Sequence, residues 1–435
     1  MQEEQPVMTQ AKTAILGLQH MFAMFGATIL VPLISGLSVQ VTLIAVGIGT
    51  LIFHFFAKGR IPAFLGSSFA FLVGIQLITD PETGIFAGSG MAQTEKLAYA
   101  TGGIMISGLV YLPVAALIKA VGVKTFMRFM PPVVTSPAVM LIGIMLAPFA
   151  VSQSFNNPAL AVITLSIIMF ASVKGRGMIK IIPILLGIGG AYIIALLMHS
   201  AGMTNPDGSV ILDFSSAAGA GIVGMPPFMA PRFDLVAILV MIPFALATIA
   251  EHVGDMVALS TITGKDFVES PGLSRTLTGD GVASCFSGLI GGPASTTYGE
   301  NIGVVALTKV RSPRVVQLAA VYAAVLGFSP LFAAVIYSIP PAIIGGASFL
   351  LYGMIAAVGL RNLVERKVDM SATKNVLIVA VMLVTGLGLR FGPRITFAFG
   401  AAEIPVDRLG IAIAVVLGVF LNAILPDEES GEGKN

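Results

Sequence analysis

Glu251 and Asp255 stand four residues apart in a largely apolar run from 234 to 258. Helical period puts both carboxylates on one face. Two carboxylates withdrawn from water cannot both ionise cheaply. Such a pair suits taking up and releasing a proton, or else bridges neighbouring helices. Glu300 opens another apolar stretch, where a carboxylate favours the positive end of a helix dipole. Asp280 lies in Thr278-Gly279-Asp280-Gly281, as a helix breaker between glycines or as a proton relay. His20 is mid-segment and either orders a site or sits as a satisfied core histidine. His54, four residues before Lys58, is expected to reach toward the interface. His252 is turned about 100° from Glu251 by helical period and is expected off the site. Charge at bilayer depth costs at least ~2.5–3.5 kcal/mol, so these residues are functional candidates.

The depth itself follows from composition. The chain has 435 residues, 56% hydrophobic and 11% charged, with mean hydropathy +0.95. Soluble domains carry about 25% charged residues. There is too little polar surface to wrap a water-soluble protein, so the lipid bilayer is the expected solvent. A net charge of +2 and the lack of a basic stripe exclude nucleic-acid binding. The four His and the single Cys285 show no metal-ligand spacing. Neither a phosphate-binding G-x-x-x-x-G-K-[ST] loop nor an H-E-x-x-H motif occurs. No enzyme, metal or cofactor is therefore expected. Residues 1–13 are polar without a cleavable signal pattern, which leaves the first apolar segment as the targeting signal.

Apolar runs at 14–35, 38–57, 97–121, 127–150, 158–173, 178–199, 234–258, 315–337, 340–360, 374–390 and 408–425 read as membrane spans. Three more, 61–79, 276–291 and 293–309, are apolar but interrupted, giving fourteen segments. With the N-terminus inside, all of the 24 Lys and Arg except Lys96, Arg232, Arg390, Arg394 and Arg408 fall in inner loops or tails. That asymmetry is the one expected of cytoplasmic loops, and it places both termini in the cytoplasm. The longest outer connections, 80–96, 200–233 and 391–407, are too short for a soluble catalytic domain. Function has to sit within the membrane.

The third and tenth segments match. Ser67-Ser68-Phe69-Ala70 lies over Thr296-Thr297-Tyr298-Gly299, in each case after a Pro. Leu18-Gln19-His20 echoes Ala250-Glu251-His252. An odd number of segments per half inverts the second half, and paired broken spans in inverted halves point to a transport site. Each break reads as extended chain turning into a half-helix whose first N–H groups are free. Those donors, with carboxylate acceptors and an aromatic wall from Phe69 and Tyr298, suit a small planar neutral ligand such as a nucleobase. An anion would meet repulsion from Glu251 and Glu300.

At these residues the chain resembles the nucleobase–cation symporter-2 (nucleobase–ascorbate transporter) family, most closely its bacterial uracil permeases. The family signature stands as Glu300-Asn301-Ile302-Gly303-Val304-Val305-Ala306-Leu307-Thr308. Gly66-Ser67-Ser68-Phe69-Ala70-Phe71 and Leu18-Gln19-His20-Met21-Phe22 are similar too. The resemblance implies an all-α polytopic membrane protein of fourteen segments in two inverted seven-segment repeats. Segments 3 and 10 would each carry a short β-strand before a half-helix. It implies a core domain of 14–121 and 234–337, and a gate domain of 122–199 and 338–425. By that likeness Glu251 and Glu300 accept the base's N–H groups, and the amides of Phe69 and Gly299 donate to its carbonyls. The coupling proton would involve Glu251, Asp255, His20 and Asp280. Proton-coupled import across the inner membrane and a homodimer are also implied. Asp255 and Asp280 are markers of the family's xanthine and urate carriers, whereas Glu300 stands where those usually have Gln. Uracil is the expected substrate. Xanthine or urate is the alternative, and an anion carrier of related architecture the second.

Overall fold

The computed structural model describes residues 10–426 apart from 83, 394, 400 and 401. The side chains of 127, 129, 300, 396–399, 402–405, 407 and 408 lie outside the described part. Helices α1 (Gln10–Ser35) and α2 (Val39–Phe56) lead to strand β1 (Leu65–Ser67) and a short α3 (Ala70–Thr79). Next come α4 (Gln93–Val121), α5 (Val123–Phe129), α6 (Pro132–Ser154), α7 (Pro158–Lys174), α8 (Met178–Ile181) and α9 (Pro183–Ser200). Beyond a long irregular connection lie α10 (Leu235–Thr263), α11 (Leu273–Leu289), strand β2 (Ser295–Thr297) and a short α12 (Gly299–Thr308). Helices α13 (Pro313–Leu326), α14 (Pro330–Tyr337), α15 (Pro341–Glu365) and α16 (Thr373–Phe391) follow. A hairpin of β3 (Thr396–Phe399) and β4 (Ala402–Pro405) precedes α17 (Gly410–Ile424).

The helix starts are legible in their chemistry. Ser38, Asn157, Asp234 and Ser329 accept first-turn N–H groups of α2, α7, α10 and α14. Prolines open α6, α7, α9, α13, α14 and α15, where a missing N–H costs nothing. Among the described residues eight helices are long and apolar enough to cross a membrane, or nine if a bent pair counts as one span. The count of fourteen crossings therefore stays an expectation of the sequence.

Two segments differ from that expectation. The run 315–337, read as one clear span, is bent by 87° between α13 and α14. Its cause is local: the Ser329 cap and Pro330 restart the helix, and Gly327 lets Gln40 Nε2 donate to its carbonyl at 3.1 Å. Conversely, the run 276–291, read as interrupted, is one continuous helix through Gly279-Asp280-Gly281. Those glycines serve close approach. A Cβ on Gly279 would press on Phe53, and one on Gly281 would meet Tyr111 and the Gly108 carbonyl. Asp280 is thus not a helix breaker.

Two groups of helices emerge from the packing. In the first, α4 lies along α10 and α11, α2 along α11 and α13, and α1 along α13. In the second, α6 lies along α15 and α16, α7 along α9 and α15, and α16 along α17. Inside the first group, β1 and β2 pair antiparallel, with Leu65 opposite Thr297, Gly66 opposite Thr296 and Ser67 opposite Ser295. All six residues are buried. The first helical residues after the strands, Ala70 and Gly299, are the two that the sequence repeat superposes.

The ring of Tyr298 lies on Gly66, so a Cβ there would enter the ring, whereas a Cβ on Gly299 would meet nothing. Gly66→Ala should therefore lower stability by about 1–3 kcal/mol, the usual range for overpacking. Gly299→Ala should leave it unchanged. Thermal unfolding of the two purified variants in detergent checks the contrast.

Candidate functional site

Extended backbone at bilayer depth is tolerated only where protein satisfies its polar groups. Here the satisfaction is dense. The Leu65 amide donates to Thr50 Oγ1 at 3.0 Å, and that hydroxyl donates to the Leu65 carbonyl at 3.3 Å. Ser67 Oγ donates to the Thr28 carbonyl at 3.1 Å. On the other strand, Ser284 Oγ donates to the Ser295 carbonyl at 2.7 Å and accepts its amide at 3.1 Å. Ser287 Oγ donates to the Pro293 carbonyl. Ser68 N–H reaches the Ala294 carbonyl at 2.8 Å, and Tyr298 N–H the Phe64 carbonyl at 3.3 Å. Helices α3 and α12 therefore start from a fixed frame, and their first N–H groups have no partner further up the helix.

Phe69 precedes α3 and is buried; Gly299 opens α12 and is exposed. Tyr298 turns inward, with its hydroxyl 3.1 Å from Ser67 Oγ and donating to the Ser67 carbonyl at 2.9 Å. Its ring braces one junction against the other. Glu300 stands in the first turn of α12, and its side chain lies outside the described residues. Asn301, which follows it, donates from Nδ2 to the Pro62 carbonyl at 2.8 Å, tying α12 to the approach of β1. That gives the Asn of the signature a physical task.

Helix α10 packs on both β2 and α12. Its residue Glu251 is exposed, while Asp255, one turn on, is 9% exposed. Tyr111 of α4 is buried, and its hydroxyl lies 2.5 Å from Thr248 Oγ1 of α10. His20, on a helix packed against β1, α3 and α12, is buried, and neither ring nitrogen has a hydrogen-bond partner among the described residues. The carboxylates of α10 and the two helix starts thus belong to one region, with acceptors on α10 and the first amides of α3 and α12 near it.

Two histidines behave differently from expectation or add to it. His54 does not reach the interface: it is 3% exposed, with Nε2 3.1 Å from the Ala63 carbonyl and Nδ1 3.3 Å from Gln317 Nε2. The chain from 61 to 64 folds back against α2, and its buried carbonyl needs that donor. His252 lies away from Glu251, as helical period requires, but contacts Asp280 and Thr297 in the core. Sequence reasoning gave it no role, because its partners come from α11 and β2, remote in the chain.

Comparison with known proteins bears on what this frame belongs to. A family model described as "Permease family" matches residues 11–395. The uracil permease of Bacillus subtilis (strain 168) is 40% identical over 94% of this chain and 91% of its own length. That of Bacillus caldolyticus is 39% identical over the same shares. A putative pyrimidine permease, RutG, of Escherichia coli (strain K12) is 41% identical over 95% and 90%. Among solved structures, the transmembrane domain of a cyanobacterium bicarbonate transporter, BicA, aligns with a TM-score of 0.62 at 17% identity, covering 94% of this chain and 96% of that one. Murine solute carrier 26 family member A9, an anion transporter in the inward-facing state, aligns with a TM-score of 0.60 at 12% identity, covering 96% and 69%. At such identities these two show a shared fold and nothing more. A multi-pass membrane transporter rather than an enzyme, the chain belongs to the permease family whose signature it carries, the nucleobase–cation symporter-2 family.

Proposed function

We propose that the protein is a proton-coupled uracil permease that imports the base by alternating access. The observation that carries this reading is the β1–β2 pair, which sets two helix starts side by side against the carboxylate-bearing α10. The names of the relatives support uracil as the substrate. A pyrimidine base offers ring N–H donors and carbonyl acceptors in one plane. In this reading Glu251 and Glu300 accept the N–H groups, and the amides at Phe69 and Gly299 donate to the carbonyls. Phe69 shapes the wall beside the ring, and Tyr298, its ring turned inward onto Gly66, braces the two junctions. Glu251 carries the coupling proton with Asp255 as its neighbour, and His20 and Asp280 are the further buried ionisable groups around it.

The α1–α4 and α10–α14 group acts as the core, and α6, α7, α9 and α15–α17 act as the gate. A cleft of about 50 Å³ lies between Ala250, Val253 and Gly254 of α10 and Ser136, Asn362 and Arg366 across from them. At another contact between the groups, Val73, Leu77, Val240 and Phe244 close on Met145 and Ile411 with only about 10 Å³ left. In this reading the first opening faces the cytoplasm and both termini lie on that side of the inner membrane, which the distribution of Lys and Arg supports. A homodimer through the gate groups completes the proposal.

Labelled uracil should enter proteoliposomes when an inward proton gradient is imposed, and excess xanthine should not block it. Xanthine or urate transport without uracil transport would make Asp255 and Asp280 the specificity markers. Transport of bicarbonate or sulfate with no nucleobase binding would assign an anion carrier. Glu251→Gln removes a charge-assisted acceptor worth about 1.5–3 kcal/mol, or roughly 10- to 100-fold in affinity. We expect Glu251→Gln and Glu300→Ala each to abolish uptake while the proteins elute as monodisperse species. Undiminished uptake in both would sink the site assignment.

A further inference from the structure

His252 and Asp280 are fully buried, and His252 Nδ1 stands 2.8 Å from Asp280 Oδ2. The contact lies off the line of a straight hydrogen bond, and neither Asp280 oxygen has another partner among the described residues. On the other side of the ring, Nε2 is 2.8 Å from Thr276 Oγ1. That hydroxyl donates its one hydrogen to the Leu273 carbonyl at 3.0 Å, so it must accept from Nε2–H. The remaining nitrogen, Nδ1, then faces a carboxylate oxygen. Two lone pairs at that separation repel, so one further proton resides on the pair, on the ring or on the acid. A buried carboxylate with no hydrogen bond is tolerated only when it is neutralised in this way.

The same ring nitrogen lies 3.3 Å from Thr297 Oγ1, and the Phe53 ring meets the imidazole edge-on at 6.3 Å. His252 is thus held from α11, α2 and β2 together. Ser284 and Ser287 of α11 secure residues 293 and 295. The Thr297 hydroxyl and the Asp280 carboxylate share that one nitrogen, which ties His252 to the other end of the strand, two residues before Gly299. Glu251 and Asp255 are the other ionisable residues near it on α10, and His54 lies across the Phe53 ring on α2.

We propose that His252 is a positioning residue of the substrate site, held in place by its contacts with Thr276 and Asp280 and fixing β2 and the start of α12. This rests on the nucleobase reading of that site. The pair is sealed from solvent, so it acts on the frame, and exchange with substrate and water belongs to Glu251. Asp280 therefore contributes through the histidine.

Two variants and two readouts test this on the full-length protein. Asp280→Asn keeps the shape and offers an amide N–H to Nδ1. His252→Gln in the Asp280→Asn background keeps an amide near Thr276, removes Nδ1 and strands no charge. Asp280→Asn should leave the KM for uracil within about 2-fold, whereas the double variant should raise it about 10-fold at an unchanged maximal rate and pH profile, the size of one lost hydrogen bond. Backbone hydrogen exchange over 293–301, read by mass spectrometry without substrate, should accelerate in the double variant only. Unchanged KM and unchanged exchange in the double variant would overturn the inference. So would loss of gradient-driven accumulation with retained uracil exchange in Asp280→Asn, since the pair would then be the coupling site. A wild-type chain that neither binds nor transports uracil would refute the nucleobase reading, and the exchange measurement alone would then decide the positioning role.

Discussion

Six residues of extended chain inside a helical membrane protein impose the constraint on which the rest depends. Every N–H and C=O they expose must find a partner in protein, because lipid offers none. Part of that demand is met by pairing the strands with each other, part by hydroxyls of Thr50 on α2 and Ser284 on α11, and part by the Tyr298 hydroxyl. The pairing brings together two chain segments more than two hundred residues apart in sequence, and the helix packing around them follows. Gly66 exists to admit the Tyr298 ring, and the glycines of α4 and α11 exist to let those helices approach. The site is a consequence of the frame rather than an addition to it.

The chemistry comes from what the frame leaves open. Helix starts satisfy their outward carbonyls but not their first amides. Two such starts beside each other are donors fixed in space before any ligand arrives, which spares the cost of ordering them on binding. Helix α10 supplies the complement and uses its two faces separately. Glu251 is accessible, and His252, the next residue, is sealed in the core against α11 and β2. One helical step thus separates an exposed carboxylate from an imidazole sealed in the core.

Much of this was legible from local chemistry. Pro followed by Ser or Thr announced both strand-to-helix junctions, and their alignment matched the first helical residues, Ala70 and Gly299. The signature at Glu300-Asn301 identified the family before any geometry. What escaped depended on distant partners. Glycines at 279 and 281 looked like a break, yet they are contact points whose meaning lies in Phe53, Gly108 and Tyr111. The bend at Gly327 was hidden inside an apolar run, because hydropathy does not register a cap such as Ser329. His54 and His252 have partners brought near only by folding, and no spacing rule could pair them.

The central claim is that the two helix starts and α10 enclose one planar base. A structure determined with uracil bound tests it most directly. The account predicts the ring between Phe69 and Gly299, with its carbonyls toward those amides and an N–H toward the Glu251 carboxylate. A base bound elsewhere in the molecule, with the space between the two helix starts closed by side chains, would contradict it.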